Sequence, residues 1–157
     1  MSKDGADRVI TNIRTGQTGG YAEWVGAFAQ LWAGGRDNLD RFADVLDPDV
    51  VLVSPGIRRI EGRKEVLSSF GRLFGALPDL TGEVTRWSAD GDALFVEMIF
   101  SATVGGKRIH WHNVDRFLFR DGRAVERVAY FDPTTLRRAL LRNPSGLRQL
   151  LRLRRGA

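Results

Sequence analysis

The sequence predicts an α+β domain in which helices come first and an antiparallel sheet follows. Three observations predict this class. Apolar residues recur at helical spacing in the first half of the chain, whereas apolar and polar residues alternate from residue 82 onward. Pairs of turn residues separate the alternating segments, as they do in hairpins. Because helices and strands are segregated along the chain, we expect the helices to lie on one face of a bent sheet.

Three helices are predicted before the long strands. The first spans Tyr21–Ala33 and is ended by a pair of glycines. The second spans Asn38–Leu46 and is ended by Asp47 and Pro48. The third spans Gly62–Gly75. The apolar stripe of the first helix consists of Trp24, Phe28, Leu31 and Trp32.

Strands are predicted in two groups. A short strand at Val50–Ser54 turns toward a partner around Arg58–Ile60. The second group consists of Gly82–Ala89, Ala93–Val104, Lys107–Arg120 and Arg123–Phe131. The last three of these are joined by Gly105-Gly106 and by Asp121-Gly122, which favour tight hairpin turns because both pairs tolerate positive φ. Thr134 is expected to cap a final helix.

Length and composition indicate one globular domain. The 157 residues suffice for a sizeable core, and 43% hydrophobic with 27% charged residues is typical of a soluble protein. The absence of cysteine excludes a disulfide framework and thiolate metal sites. No apolar run approaches the ~20 residues that cross a bilayer. Residues 1–20 are polar and lack the apolar core of a secretory signal, so we expect a disordered leader and a cytoplasmic protein.

The C-terminal residues have a charge pattern of their own. From Thr134 to the end there are seven arginines and no acidic residue. We therefore divide the chain into the leader 1–20, a domain 21–142, and a basic tail or helix 143–157. Such a tail can contact nucleic acid or an anionic membrane. The alternative is a solvated helix whose leucines pack on the domain or on a partner.

Asp115 is the main candidate for chemistry, because it is a lone acid within an apolar strand. If its side chain points toward the helices, alternation places Asn113, Trp111 and Phe117 on the same face. The opposed inward residues of the preceding strand include Met98 and Phe100. Together with the aromatic residues of the first helix they predict an apolar pocket for a small ligand. The alternative is a solid aromatic core.

The last hairpin decides the partner of Asp115. A three-residue loop, which we favour, places Asp115 directly opposite Arg127, with Ala129 and Phe131 on the same face. A two-residue turn places Asp115 opposite Val128 instead. Paired with Arg127, Asp115 is expected to stay ionised and either to act as a base or to fix a polar ligand. Unpaired in an apolar pocket, it is expected to act as an acid or donor. A buried ion pair with a purely structural role remains the alternative.

His110 and His112 share a strand face and therefore raise the question of a metal site. Their face is predicted to point outward, where the neighbouring residues are mostly arginines and apolar side chains. A zinc site needs three or four ligands. We therefore expect neither a metal nor any other cofactor.

Several short motifs resemble those of the SnoaL-like branch of the nuclear transport factor 2-like superfamily. They are Ala33-Gly34-Gly35, Leu39-Asp40-Arg41-Phe42, Leu46-Asp47-Pro48-Asp49-Val50, Gly62-Arg63-Lys64-Glu65-Val66, Val114-Asp115-Arg116-Phe117 and Tyr130-Phe131-Asp132. The resemblance covers about Tyr21 to Leu140. It implies a curved antiparallel sheet with three N-terminal helices on its concave face, forming a conical cavity. The family includes polyketide cyclases, ketosteroid isomerases and limonene epoxide hydrolases.

The resemblance transfers functional positions only in part. Asp115 corresponds to the aspartic acid that donates a hydrogen bond in ketosteroid isomerases. The isomerase base corresponds to Ser54, and the isomerase tyrosine corresponds to Phe28, which has no hydroxyl. The acid/base aspartate of the cyclases corresponds to Ala129. Each known mechanism of the family therefore lacks at least one group in this chain.

These observations lead to one expected function and one alternative. We expect a small hydrophobic ligand (polyketide-, steroid- or terpenoid-like) and cofactor-free isomerase, cyclase or hydrolase chemistry at Asp115, Asn113 and Arg127. The expected lining residues are Trp24, Phe28, Trp32, Ser54, Met98, Phe100, Trp111, Phe117, Ala129 and Phe131. The alternative is a non-catalytic module for ligand binding or dimerisation. In either case we expect a homodimer through the open sheet face, near Ile99, Val114 and Leu118.

Overall fold

Helices come first and long strands follow, as predicted. The computed structural model describes residues 18–142 together with residues 145, 148, 149 and 151. The predicted leader and the predicted tail therefore lie largely outside the described residues. The helical elements are α1 (Thr18–Gly34), the 3-10 helix η1 (Gly35–Asp44), α2 (Arg63–Ala76) and α3 (Pro133–Leu141). The strands are β1 (Leu46–Val53), β2 (Ile60–Glu61), β3 (Thr81–Asp90), β4 (Ala93–Val104), β5 (Lys107–Arg120) and β6 (Arg123–Tyr130).

The six strands form one curled sheet in the order β2-β1-β6-β5-β4-β3. The predicted four-strand antiparallel meander from β3 to β6 is confirmed. The expectation of a wholly antiparallel sheet is wrong at one place, because β1 runs parallel to β6. These two strands are joined by α2 and the meander rather than by a hairpin, and only such a long connection lets neighbouring strands run parallel.

The second predicted helix differs from the observed element. η1 begins at Gly35, ends at Asp44 and is a 3-10 helix, and β1 starts at Leu46. Pro48 therefore lies inside a strand instead of ending a helix. The register of β1 against β6 is irregular between Leu46 and Val51. Proline is tolerated there because it interrupts no regular ladder hydrogen bond.

Gly35 marks the point where α1 gives way to η1. Its φ is +58°, and a Cβ at this position would lie 2.6 Å from the Leu80 carbonyl oxygen. A side chain would therefore clash with the backbone as well as strain the chain. Asn38 adds a side-chain hydrogen bond to the Gln30 carbonyl, 3.0 Å away. The pair of glycines thus ends the first helix, as the sequence indicates.

The core lies between the N-terminal helices and the sheet, and aromatic rings fill much of it. The Trp32 ring lies 5.0 Å from Phe42, 5.5 Å from Phe70 and 4.9 Å from Phe100, measured between centroids. Trp32 is 1% exposed. Burying an aromatic side chain contributes on the order of 1.5–3 kcal/mol. The three N-terminal helical elements are therefore held to the sheet by ring packing.

The final helix, α3, begins two residues earlier than expected. Asp132, and not Thr134, is its N-cap, and its carboxylate accepts a hydrogen bond from the Thr134 backbone N–H at 2.9 Å. Pro133 occupies the first turn, where its missing N–H costs nothing. Leu140 is 1% exposed and fixes α3 to the domain. Within the described part of the chain, no helix is long and apolar enough to cross a membrane. The cytoplasmic location stays a prediction.

Candidate functional site

Asp115 points inward, as predicted. It is fully buried on β5, and Asn113 on the same face is 3% exposed. The sheet register sets Asp115 opposite Val96 and Asn113 opposite Met98 on β4. Alternation along β5 explains this placement, because the residues on either side of Asp115, Val114 and Arg116, face the other side. Two polar side chains are therefore enclosed by the apolar interior.

Arg127 forms a salt bridge with Asp115. Its Nη2 lies 2.8 Å from Asp115 Oδ2, and the guanidinium side chain is 7% exposed. The pairing confirms that both side chains face the interior. A buried charge pair of this kind gains attraction from the low dielectric but loses the solvation of both ions.

The strand register that produces this contact was predicted wrongly. The turn between β5 and β6 is the two-residue one, with φ of 51° at Asp121 and 75° at Gly122. A bulge then inserts Val125, so that Asp115 lies opposite Ala129 and Arg127 lies opposite Phe117. Asp115 therefore faces neither Arg127 nor Val128 directly. The contact is diagonal, within reach of the long arginine side chain.

Three aromatic rings surround the Arg127 guanidinium. Its central carbon lies 5.8 Å from the Phe28 centroid, 5.2 Å from Trp32 and 5.5 Å from Phe70. Arginine near the faces of aromatic rings gains cation–π attraction, which is strongest where water is absent. The N-terminal helices therefore hold the cation from the side opposite to Asp115. Phe70 lies within the third predicted helix, and sequence reasoning missed it as a site residue.

Four buried polar atoms at this place have no hydrogen-bond partner among the described residues. They are Asp115 Oδ1, Asn113 Nδ2, Arg127 Nε and Trp32 Nε1. Native interiors leave few such groups unpaired, because each costs free energy when it is desolvated. A cluster of three donors and one acceptor is therefore suited to a guest that carries oxygen atoms. We call these four residues the polar quartet.

Most of the predicted lining residues are brought together around the polar quartet. Buried in this interior are Trp24, Phe28, Met98, Phe100, Trp111, Phe117 and Ala129. Phe100 and Trp111 stack with centroids 5.6 Å apart, and Phe28 meets Phe117 edge-on at 5.1 Å. Their role in binding a ligand stays a prediction.

Three of the predicted lining residues have a different position or role. Ser54 follows β1, Phe131 follows β6, and both are half-buried. Because β1 and β6 are parallel with Val53 opposite Val128, these two residues lie at the same end of the sheet. The Trp24 indole N–H donates to the Val45 carbonyl at 3.1 Å. Its polar group therefore serves the fold, unlike that of Trp32.

The outer sheet face carries the two histidines. His110 Nδ1 lies 2.7 Å from Ser101 Oγ, and both histidines are exposed. In the described ranges, no group of three or more His, Cys, Asp or Glu residues is placed to hold a metal ion. On the same face Ile99, Val114 and Leu118 are half-buried. The homodimer through this face stays a prediction.

A second carboxylate–guanidinium cluster lies at the start of β1. Asp47, which is 6% exposed, receives hydrogen bonds from Arg120 Nε at 3.1 Å and Nη2 at 2.5 Å, and from the Asp49 backbone N–H at 2.9 Å. Arg120 Nη2 also donates to Asp49. The hydrogen bonds from Arg120 and from the Asp49 backbone hold the pKa of Asp47 below its usual range. Sequence reasoning missed this cluster, since 73 residues separate the partners.

Comparison with solved structures agrees with the fold described above. A protein of Jannaschia sp. CCS1 assigned as a SnoaL-like polyketide cyclase aligns with TM-score 0.71 and 18% identity, covering 80% of this chain and 94% of that one. An epoxide hydrolase of M. tuberculosis aligns with TM-score 0.65 and 26% identity, covering 85% and 96%. An NTF2-like protein of unknown function from Burkholderia pseudomallei K96243 aligns with TM-score 0.67 and 22% identity, covering 76% and 96%.

At these identities the Jannaschia and Burkholderia structures show the fold alone. A search among curated proteins found no match. The model of the SnoaL-like domain matches residues 22–127, well over half of the sequence. This span contains the four members of the polar quartet and the aromatic residues around Arg127. The chain therefore belongs to the SnoaL-like domain family.

Proposed function

We propose that the protein binds a small hydrophobic molecule in the interior around the polar quartet and performs cofactor-free acid/base chemistry on it. The observation that carries this proposal is the group of four unpaired polar atoms beside a buried salt bridge. Polar groups that are buried without partners are costly, and a structural ion pair alone does not account for Asn113 Nδ2 and Trp32 Nε1. Aromatic rings on both sides supply the contact area for the ligand skeleton.

The donors and the acceptor restrict the class of ligand. Asn113 Nδ2, Arg127 Nε and Trp32 Nε1 can each donate a hydrogen bond, and Asp115 Oδ1 can accept one. A carbonyl or enolate oxygen suits the three donors, and a hydroxyl or acidic C–H suits the acceptor. A cyclic molecule with a carbonyl next to a hydroxyl, such as a polyketide-like ring system, satisfies both. Steroid- and terpenoid-like ketones satisfy the donors equally well.

Asp115 is the base in the proposed chemistry. Its Oδ2 is occupied by Arg127, which leaves Oδ1 free to take a proton from the substrate. The electron pair left behind moves onto the substrate carbonyl oxygen, where donors fixed in advance stabilise the growing negative charge. Asp115 then returns the proton to another position, or to a leaving oxygen, so that no cofactor is consumed. Arg127 and Asn113 assist by holding that oxygen.

The test is a titration of the purified protein with a hydroxyanthraquinone. Binding is monitored through the intrinsic tryptophan fluorescence of the protein. Asp115→Asn is expected to weaken binding at least tenfold, because it removes the charge and the free acceptor. Glu126→Gln is the matched control, since Glu126 forms a salt bridge with Arg116 on the same two strands but on the outer half-buried face. Equal affinity of the wild type and Asp115→Asn for every member of a hydroxylated ketone panel contradicts the proposal.

A measurement of turnover distinguishes the proposed enzyme from the alternative, a non-catalytic binding module. Proton exchange between solvent deuterium and the ring positions of a bound ketone reports base chemistry without knowledge of the product. We expect exchange with the wild type and with Glu126→Gln, and its loss in Asp115→Asn. Binding without exchange in any of these proteins favours the module.

A further inference from the structure

Among the described C-terminal helical residues, several arginines and leucines are exposed. The exposed members are Arg137, Arg138, Leu141, Arg142, Arg148 and Leu151, which we call the arginine–leucine surface. We propose that this surface docks the protein on an anionic lipid membrane. The proposal is independent of the interior site and of its chemistry.

Charge provides the first argument. The segment from Thr134 to the end has seven arginines and no acidic residue, although the whole chain contains 19 acidic residues. Its positive potential is therefore uncompensated within the segment. Anionic membrane surfaces attract such segments, and each arginine near the surface raises the partition coefficient by about fivefold at moderate ionic strength. Four of these arginines belong to the arginine–leucine surface.

The exposed leucines distinguish a lipid surface from nucleic acid. Leu141 is 62% exposed and Leu151 is 44% exposed, and both lie among the arginines. Ile57, which is 44% exposed, follows Gly56, where an added Cβ would lie 2.9 Å from Arg137 Nη2. Aliphatic side chains flanked by arginines enter the boundary between headgroups and acyl chains. They gain little from a phosphate backbone, which is contacted through charge and hydrogen bonds.

Two other described residues of the segment contact the domain. Leu140 is 1% exposed, and Gln149 Nε2 donates to the carbonyls of Ala76 at 3.2 Å and Thr103 at 3.3 Å. These contacts join the segment to the end of α2 and to the end of β4. Leu140 and Gln149 therefore anchor the described residues of this region to the domain, while the members of the arginine–leucine surface stay exposed.

The experiment is sedimentation of the full chain with vesicles of phosphatidylcholine, with and without phosphatidylglycerol. We expect binding only to the anionic vesicles. Arg142→Gln combined with Arg148→Gln is expected to lower the partition coefficient by about thirtyfold. The control combines Lys64→Gln with Arg86→Gln, which changes the net charge equally at exposed positions outside the surface, and is expected to leave binding within about twofold. Leu141→Ser is expected to weaken binding severalfold while retaining its salt dependence.

Three results would overturn the proposal. The first is no sedimentation with anionic vesicles at physiological salt. The second is equal loss in the arginine double variant and in the control, which would indicate a general charge effect. The third is that Leu141→Ser binds vesicles like the wild type while a duplex RNA competes the protein off them, which would identify nucleic acid as the partner. Circular dichroism of each variant verifies that the fold is retained.

Discussion

Two carboxylate–guanidinium clusters in this fold differ in how completely their hydrogen bonds are satisfied. Asp47 uses both oxygens, receiving two bonds from Arg120 and one from the Asp49 backbone. Asp115 uses only Oδ2, and Oδ1 together with Arg127 Nε has no partner among the described residues. The saturated cluster lies where Arg120 is half exposed, whereas the unsaturated one is buried.

We interpret this difference as separating the structural role of the Asp47 cluster from the ligand-binding role proposed for the Asp115 cluster. The pair of Asp47 with Arg120 lies at one end of the sheet and ties the start of β1 to the end of β5, and both of its carboxylate oxygens already accept hydrogen bonds. A buried ion pair with unpaired donors and an unpaired acceptor contributes little to the stability of the fold, because apolar residues of similar volume can be buried there at a lower cost in free energy. A ligand that meets the unpaired groups would account for a buried ion pair at this place. The predictions below test this contrast.

The largest effect on stability is expected when one partner of the buried Asp115–Arg127 pair is replaced. Asp115→Leu leaves the Arg127 guanidinium buried without its counter-ion and should destabilise the fold by about 3–5 kcal/mol. Adding Arg127→Met should recover most of that loss, since the second substitution removes the stranded charge. Urea unfolding of both variants measures the two free energies. If the double variant is no more stable than the single one, the Asp115–Arg127 pair is a structural element like the Asp47–Arg120 pair.

A smaller effect of opposite sign is expected at Asn113. Asn113→Leu removes a buried amide whose Nδ2 has no partner and substitutes an apolar side chain of similar volume. The free energy of unfolding should rise by ~1 kcal/mol, because the desolvation cost of the unpaired donor disappears. The same variant should bind the hydroxyanthraquinone less tightly than the wild type. A large destabilisation would show that Asn113 serves the fold.

The smallest effect is expected at the outer cluster, and it should depend on pH. The pKa of Asp47 is lowered in the folded protein, chiefly by its hydrogen bond with Arg120. Asp47 therefore contributes stability above the ordinary carboxyl pKa of about 4, and this contribution is lost as the pH falls through the lowered value.

Arg120→Gln should accordingly lower the unfolding midpoint at neutral pH, and the difference from the wild type should vanish in acid. Unfolding curves measured from neutral pH down to acid provide the comparison. Arg59→Gln, which affects an exposed pair with Glu61, serves as the control and should produce a smaller difference at neutral pH. A difference that grows as the pH falls would contradict the assigned direction.

The faces of the strands could be predicted from the sequence, but their exact register could not. Alternation groups Asp115 with Asn113 on one face of β5, because side chains change face at every residue, whereas the face of Arg127 depends on the register across the last hairpin. The two-residue turn and the bulge at Val125 each shift the pairing by one position relative to the favoured register, and together they preserve the face and change the partner. Bulges depend on the packing of the whole sheet and leave no clear signature in a short segment.

Contacts between residues that are distant in the sequence could not be predicted either. Phe70 reaches Arg127 from α2, and Arg120 reaches Asp47 across the sheet. Neither pair has a local pattern, since only the packed fold brings these elements together. The cap of α3 was local but ambiguous, because Asp132 and Thr134 are both good capping residues, and the proline that follows Asp132 favours it.

The most direct test of the central claim is an NMR titration of the tryptophan indole N–H groups with the hydroxyanthraquinone. Trp32 Nε1 is unpaired, whereas Trp24 Nε1 already donates to Val45. A guest whose oxygen meets the polar quartet should move the Trp32 signal strongly downfield, in proportion to saturation, and leave the hydrogen-bonded Trp24 donor nearly in place. If the guest binds while the Trp32 signal stays unchanged, the unpaired atoms are not its binding site.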